Sequence, residues 1–203
     1  MDQPAPEPKK IRAFIALKPP PQWDEALQDL QKKLKTNLSS DAIRSIPVEQ
    51  IHLTLRFLGY ITNPVAEKLR LILDKVAKSS PSFVLHFDGL GCFPRVKDPR
   101  IIWAGLKCDN TALAELHQNL TAATKDIGEP PEDRPFKPHL TLARVKNLEP
   151  KLIPKLQAAL DTTGFTTPLN WTVNELILMQ SQLSPKGAHY EKFHVSQLSN
   201  ELD

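Results

Sequence analysis

Glycine and cysteine are both scarce in this chain of 203 residues, which contains seven glycines and two cysteines. The shortage of glycine argues against a phosphate-binding loop, and neither the Walker motif nor the dinucleotide-binding motif is present. Cys92 and Cys108 have no CxxC spacing and no nearby pair of histidines that would serve as ligands. The sequence therefore predicts neither a disulfide framework nor a zinc site, and we expect no metal ion and no cofactor.

Long apolar runs are also lacking. No stretch approaches the ~18 to 20 consecutive apolar residues that a membrane-spanning helix needs. The first ten residues, MDQPAPEPKK, contain no apolar segment that resembles a secretory signal, and we expect residues 1–10 to form a flexible tail. The sequence thus predicts a cytoplasmic protein that does not bind a membrane.

Positive charge is modest in total but uneven in its distribution. The net charge is +3, which is too small for a protein that coats nucleic acid without specificity. Basic residues concentrate at 95–107 and at 134–146. This pattern favours a focused anionic ligand over a long duplex. The 40% of hydrophobic and 24% of charged residues are otherwise typical of a globular protein.

Hydrophobic periodicity predicts alternating strands and helices. Short apolar or alternating runs predict strands at 11–17, 51–58, 83–87, 101–106, 139–145, 172–179 and 190–197. Apolar stripes at helical spacing predict helices that begin near Trp23, Pro64, Thr111 and Leu152.

The tetrapeptide His-Leu-Thr-Leu occurs twice, beginning at His52 and at His139. Side chains alternate along a strand, so His52 and Thr54 project from one face while the leucines enter the core, and His139 and Thr141 repeat this geometry. Two copies so far apart do not make a solenoid. The repeat instead predicts two similar lobes whose polar faces line one cleft.

We assign these lobes to a single domain over residues 11–203, with the two halves meeting near 94–99. Paired histidines suit proton transfer near neutral pH, because a neutral ring acts as base while a protonated ring acts as acid. A phosphodiester, in which one oxygen attacks and another leaves in line, needs that arrangement. The threonine hydroxyls would then hold the non-bridging oxygens.

No acidic cluster with metal-ligand spacing accompanies the motifs, so cationic side chains would have to offset the developing negative charge. Arg56, Arg134 and Arg144 are the nearest arginines in sequence, and guanidinium groups favour bidentate contacts with phosphate. The sequence leaves open which of the three points inward.

Five segments resemble a known family, the RNA 2′,3′-cyclic phosphodiesterases of the 2H phosphoesterase superfamily, formerly named 2′-5′ RNA ligases. The resemblance extends from about Arg12 to Val195. The segments that carry it are HLTLRFLG at 52–59, FDGLGCFP at 87–94, RIIWAGL at 100–106, RPFKPHLTLAR at 134–144 and SQLSPKGAHY at 181–190.

The resemblance implies a bilobal α+β fold with two antiparallel sheets around a central cleft. It also implies hydrolysis of a 2′,3′-cyclic phosphate at an RNA end to a 2′-phosphomonoester, without a metal. By the family pattern His52 protonates the leaving 3′ oxygen, His139 takes a proton from the attacking water, and Thr54 and Thr141 orient the phosphate. We expect a monomer that acts on RNA ends, with tRNA fragments among the candidate substrates.

One departure from the family pattern precedes the first motif, where the family often has an Arg-Trp pair and this chain has Arg44-Ser45. Phe14 and Tyr190 occupy positions where an aromatic ring can stack on a base, and we include both as substrate-binding candidates.

Two other functions stay open on the sequence. The same site can run in reverse and join a cyclic phosphate end to a 5′-hydroxyl through a 2′-5′ bond. A binding module that holds RNA ends without chemistry would also account for the two basic segments, and it predicts RNA affinity that depends on salt but not on the histidines.

Overall fold

A computed structural model of the chain describes residues 9–38, 41–165, 169–184 and 187–200. Residues 1–8 of the predicted tail lie outside the described residues, so the flexible tail stays a prediction. Within the described residues, no helix is both long enough and apolar enough to cross a membrane.

The strands of the described residues form one curled antiparallel sheet. Their order across the sheet is β7, β4, β5, β6, β3, β1, β8, β9, and the short β2 pairs with β6 beside this path. The strands are β1 (Lys10–Leu17), β2 (Ile43–Ser45), β3 (Leu53–Thr62), β4 (Phe83–Arg95), β5 (Asp98–Cys108), β6 (His139–Val145), β7 (Asn170–Val173), β8 (Glu175–Ser184) and β9 (Gly187–Gln197).

The helices pack against one face of this sheet through the apolar stripes seen in the sequence. They are α1 (Asp24–Leu38), α2 (Asn63–Lys78), α3 (Ala112–Ala123) and α4 (Ile153–Thr162), with 3-10 turns at Pro21–Trp23, Val48–Gln50 and Pro150–Leu152. Helices α1 and α4 contact each other and the β4 to β6 side, whereas α2 and α3 contact each other and β3. Each half of the sheet therefore has its own helix pair.

The two halves of the sheet meet between β3 and β6, at the pair of Leu53 with Leu140. The α+β fold with an antiparallel sheet in each lobe is confirmed, with the difference that the two sheets continue into one another here. Residues 94–99, where we expected the halves to meet, form the turn of the hairpin between β4 and β5, inside one half. The sequence contains no signal for the long-range pairing of β3 with β6, which sets the boundary between the halves.

The predicted strand at 172–179 is two strands separated at Asn174. Strand β7 pairs with β4, and β8 pairs with β1, so the two lie on opposite halves of the sheet. Alternation continues across the break, and periodicity alone gives no sign that the partner strand changes.

Apolar side chains are buried on both faces of β1. Ile11, Ala13, Ile15 and Leu17 belong to the main core under the helices. On the opposite face lies a second apolar cluster composed of Phe14, Ala16, Ile177 and Met179, with Tyr190 and Val195 packed against it. A strand that is buried on both faces reads as a continuous apolar run, which explains the sequence of β1.

Candidate active site

The two His-Leu-Thr-Leu motifs lie side by side where the halves of the sheet meet. Leu53 and Leu140 are register partners and are fully buried in the main core. One step along antiparallel strands from this pair, His52 lies opposite Thr141 and Thr54 lies opposite His139. All four side chains are partly buried on the sheet face that points away from the helices. We call this surface the cleft face.

Both histidines are held by the same backbone contact. The Nδ1 atom of His52 lies 2.7 Å from the carbonyl oxygen of Gln50, and Nδ1 of His139 lies 2.7 Å from the carbonyl oxygen of Lys137. A carbonyl oxygen only accepts hydrogen bonds, so Nδ1 is the protonated nitrogen in each ring. Nε2 of each neutral ring is therefore free to take a proton, and it can deliver one only after the ring has been protonated.

Aromatic rings enclose His52. Its ring centroid lies 4.7 Å from that of Phe14 and 5.1 Å from that of Tyr190, with the Tyr190 ring nearly perpendicular at 87°. Phe14 and Tyr190 also contact each other edge to face at 5.1 Å. These contacts hold the imidazole in one orientation and shield it from water.

A matching set of rings encloses His139. Phe93 meets the imidazole edge to face with centroids 5.0 Å apart, and Trp103 lies at 6.2 Å. The ammonium of Lys137 lies 4.3 Å from the centroid of the Trp103 ring, a cation–π contact. A Cβ atom at Gly91 would collide with the indole of Trp103, so glycine is required beneath that ring.

Burial lowers the pKa of His52 to about 4, from an ordinary value of 6.5. Loss of hydration is the largest cause, and the hydrogen bond to Gln50 opposes it by raising the pKa. The positive charge of Lys18, and that of His139 whenever its ring is protonated, lower the pKa further. Burial also lowers the pKa of His139, against its own backbone hydrogen bond, and the charge of Lys137 adds to the effect. Because both pKa values are lowered, both rings are neutral at pH 7 in the free protein.

A β-bulge follows each motif and decides which arginine reaches the cleft face. On β3, Thr54 and Arg56 pair with consecutive residues of β1, so Leu55 is the extra residue. On β6, Thr141 and Ala143 pair with consecutive residues of β5, so Leu142 is the extra residue. The side chain after the bulge therefore changes face in both strands.

For this reason the structure does not support the prediction that Arg56 binds substrate. Arg56 is only 5% exposed. Its guanidinium donates hydrogen bonds to the carbonyl oxygens of Phe57 at 2.9 Å and of Glu129 at 2.6 Å. Arg56 thus fastens the loop at Glu129 to β3 and has a structural role.

Arg144 is exposed and lies on the cleft face, two strand steps beyond Thr141. The matching position after the first motif is Phe57, which is 43% exposed and lies 6.0 Å from Phe14 between ring centroids. Arg134 is exposed in the loop before β6, and no hydrogen bond or ion pair holds its side chain within the described part of the chain.

The structure also does not support the prediction that Phe14 stacks on a base, because this residue is only 2% exposed. Phe14 instead fills the second apolar cluster and packs on His52. Tyr190 is partly buried and touches His52, so it does lie at the site.

Sequence reasoning missed the lysines beside each histidine. The Lys18 ammonium donates to the carbonyl oxygen of Glu49 at 2.8 Å and lies close enough to lower the pKa of His52. Lys137 stands in the same relation to His139. Lys137 lies within the segment RPFKPHLTLAR, and Trp103 within RIIWAGL, so the resemblance already covered both positions. Nothing in the sequence indicates that Lys18 lies near His52, because Lys18 is simply the residue that follows an apolar strand.

No group of three or more His, Cys, Asp or Glu side chains that would suit a metal ion occurs in the residues that the structure describes.

Comparison with known proteins agrees with this architecture. Residues 18–184 match the model of the 2′-5′ RNA ligase superfamily. Proteins named RNA 2′,3′-cyclic phosphodiesterase are similar over almost the whole chain. The one from Thermus thermophilus is 31% identical over 90% of this chain and 89% of its own length, and that from Archaeoglobus fulgidus is 29% identical over 91% and 99%.

Solved structures show the same fold. A Thermus thermophilus protein superposes with a TM-score of 0.75 at 28% identity, covering 93% of this chain and 98% of its own. Escherichia coli LigT in complex with 3′-AMP superposes with a TM-score of 0.73 at 22% identity, covering 94% and 99%. The chain therefore belongs to the 2′-5′ RNA ligase superfamily, the group of 2H phosphoesterases that its motifs resemble.

Proposed function

We propose that this protein is an enzyme that hydrolyses 2′,3′-cyclic phosphate ends of RNA to 2′-phosphomonoesters. The observation that carries the proposal is the symmetric pair His52 and His139, each oriented by a backbone carbonyl so that Nε2 serves for proton transfer. The printed names of the similar proteins from Thermus thermophilus and Archaeoglobus fulgidus support the same substrate.

In this mechanism His139 Nε2 takes a proton from water as the water oxygen attacks phosphorus. The bond from phosphorus to the 3′ oxygen breaks, and His52 Nε2 delivers a proton to that oxygen. The products are a 2′-phosphomonoester and a 3′-hydroxyl. Exchange of protons with solvent returns His139 to its neutral form and His52 to its protonated form.

The acid role of His52 requires a protonated ring, although its pKa is about 4 in the free protein. A bound phosphodiester carries a negative charge, and an opposite charge nearby raises the pKa of an imidazole. The substrate itself therefore promotes protonation of the group that acts as acid. Hydrogen bonds from Thr54 and Thr141 to the non-bridging oxygens would hold phosphorus between the two rings.

Positive side chains replace a metal ion in this proposal. Lys18 lies beside His52 and Lys137 beside His139, so one cation flanks each side of the phosphate. Preorganised charges of this kind stabilise negative charge that develops in the transition state. We propose that the reaction needs no metal and that EDTA leaves turnover unchanged.

Substitution of each histidine tests the proposal. His52→Ala and His139→Ala should each lower kcat for an oligonucleotide with a 2′,3′-cyclic phosphate end by roughly 10²- to 10⁴-fold, the usual contribution of a general acid or base. His86→Ala is the matched control, since His86 pairs with Asp109 and Asn170 outside the site. Full turnover by either motif variant would refute the mechanism, and RNA binding without turnover by the unmodified protein would favour the binding module.

Ligation is a second candidate because the matching family is described as 2′-5′ RNA ligases. The reverse reaction would use the same residues, with a 5′-hydroxyl of RNA in place of water. Incubation of one preparation with and without a 5′-hydroxyl acceptor separates the two activities. Absence of a 2′-5′ linked product at high acceptor concentration would leave hydrolysis alone.

One chain contains both motifs, so we propose that the monomer is the active unit and that tRNA fragments with cyclic ends are among its substrates. Light scattering during size-exclusion chromatography should give the mass of one chain, 22.8 kDa, at concentrations that support full activity. A stable dimer would contradict this part of the proposal.

A further inference from the structure

Two arginines face each other where β2 pairs with β6. Arg44 is the register partner of Arg144. Their neighbours along the strands, Ile43 and Ala143, are buried in the main core. Directly opposite residues project from the same face, and successive residues from opposite faces. Arg44 and Arg144 therefore both project from the cleft face, where both are exposed.

This arginine pair lies on the cleft face beyond the second motif, further along β6 towards its C-terminal end. Because Leu142 is bulged, Thr141 and Arg144 are two strand steps apart, pairing with Trp103 and Ile101 of β5. Two strand steps correspond to about 7 Å. That distance is comparable to the repeat of one nucleotide along an RNA backbone.

In an RNA end bound along the cleft face, the terminal cyclic phosphate and the phosphate one nucleotide before it would contact different cationic side chains. Lys18 and Lys137 lie beside the two histidines and match the reacting phosphate. The arginine pair is offset along β6 from that position, and it concentrates two guanidinium groups on one exposed patch. Guanidinium binds phosphate in a bidentate manner and attracts it over a distance.

We propose that Arg44 and Arg144 bind the phosphodiester on the 5′ side of the terminal nucleoside. The protein then acts on oligonucleotide ends in preference to single nucleosides that carry a 2′,3′-cyclic phosphate. This inference rests on the proposed function, because the cyclic phosphate has to occupy the space between the motifs.

Kinetics with three substrates test the inference. They are adenosine 2′,3′-cyclic phosphate, the adenosine dinucleotide ending in a 2′,3′-cyclic phosphate, and the same dinucleotide with a neutral methylphosphonate linkage. The unmodified protein should have a kcat/KM about tenfold higher for the charged dinucleotide than for the nucleoside, as expected for a charge-assisted contact. The methylphosphonate should remove this preference.

Arg44→Gln should lower the ratio of the two kcat/KM values towards one, and Arg44→Lys should retain part of it. Arg144→Gln provides a second variant at the opposite position. Arg70→Gln is the matched control, since Arg70 lies on α2 and pairs with Glu67, and it should keep the ratio of the unmodified protein. Thermal unfolding of each variant checks that the fold is retained.

The outcomes separate the two proposals. An unchanged ratio in Arg44→Gln, or a preference that survives the methylphosphonate, would overturn the second phosphate site while leaving the proposed hydrolysis intact. Equal kcat/KM values for nucleoside and dinucleotide in the unmodified protein would do the same. Failure of the unmodified protein to hydrolyse any of the three substrates would overturn the proposed function and the inference with it.

Discussion

The low pKa of His52 connects the burial of one side chain to the catalytic behaviour expected of the whole site. Aromatic contacts with Phe14 and Tyr190 remove water from the imidazole, and loss of hydration disfavours its charged form. The same enclosure makes the ring sensitive to a bound anion, because a charge acts more strongly where water is excluded.

The pH dependence should reveal this enclosure. The profile of kcat/KM reports groups of the free protein, and both histidine pKa values are lowered there. We therefore expect a bell-shaped profile with its maximum below pH 6.5. The kcat profile reports the complex, in which the phosphate raises both pKa values, so its maximum should lie at higher pH. Initial rates from pH 4 to 9 measure both, and a kcat/KM maximum above pH 7 would contradict the assignment.

Substitution of Phe14 should act through His52 rather than through base stacking. Phe14→Leu leaves space beside the imidazole and should lower the free energy of unfolding by about 1–2 kcal/mol. Water that enters this space should raise the pKa of His52 and move the acidic limb of kcat/KM to higher pH. Urea unfolding and rate profiles measure the two effects. A raised KM with an unchanged pH profile would indicate base stacking instead.

At the level of single strands, the bulge after each His-Leu-Thr-Leu motif changes the face of the sheet from which the following side chains project. Alternation from Thr54 would place Arg56 in the cleft, but the extra residue Leu55 turns it away from the cleft. After the second motif the bulge at Leu142 buries Ala143 and exposes Arg144. The same backbone irregularity thus explains why Arg56 is buried and why Arg144 lies on the cleft face.

Arg56→Gln provides a test of this element. The variant loses charge-assisted hydrogen bonds to two backbone carbonyls, and we expect the free energy of unfolding to fall by about 2 kcal/mol. The KM for a cyclic phosphate substrate should not change, because Arg56 does not reach the cleft face. Denaturant unfolding and steady-state kinetics check the two statements. A large rise in KM with normal stability would show that Arg56 contacts the substrate.

At the scale of the whole molecule, consecutive elements of the chain alternate between the two halves of the sheet. Strand β1 begins one half, α1 then packs on the other, and β8 and β9 return to pair beside β1. Helix α3 follows β5 but packs against α2 and β3. Each half of the sheet thus contains segments from both ends of the sequence.

Fragments cut at the hairpin turn should therefore not fold by themselves. Separate chains of residues 1–96 and 97–203 would each lack strands and helices that cover their apolar surfaces. We expect both fragments to show little protection in amide hydrogen exchange when alone, and structure to return when they are mixed. Two independently folded fragments would contradict the single domain over 11–203.

The amino-acid sequence by itself determined the strands and helices with strong periodicity, the α+β class and the family. It also determined that His52 and Thr54 share a face, as do His139 and Thr141, because alternation over three residues is a local property of a strand. The resemblance extended this to the chemistry expected of the pair.

Only the tertiary structure decided which distant strands are neighbours. The pairing of Leu53 with Leu140 brings the motifs together, the bulges choose Arg144 over Arg56, and the pairing of β2 with β6 sets Arg44 against Arg144. The physical reason is that register between remote strands depends on how all apolar faces are buried at once. The local periodicity of one strand does not indicate which other strand it pairs with.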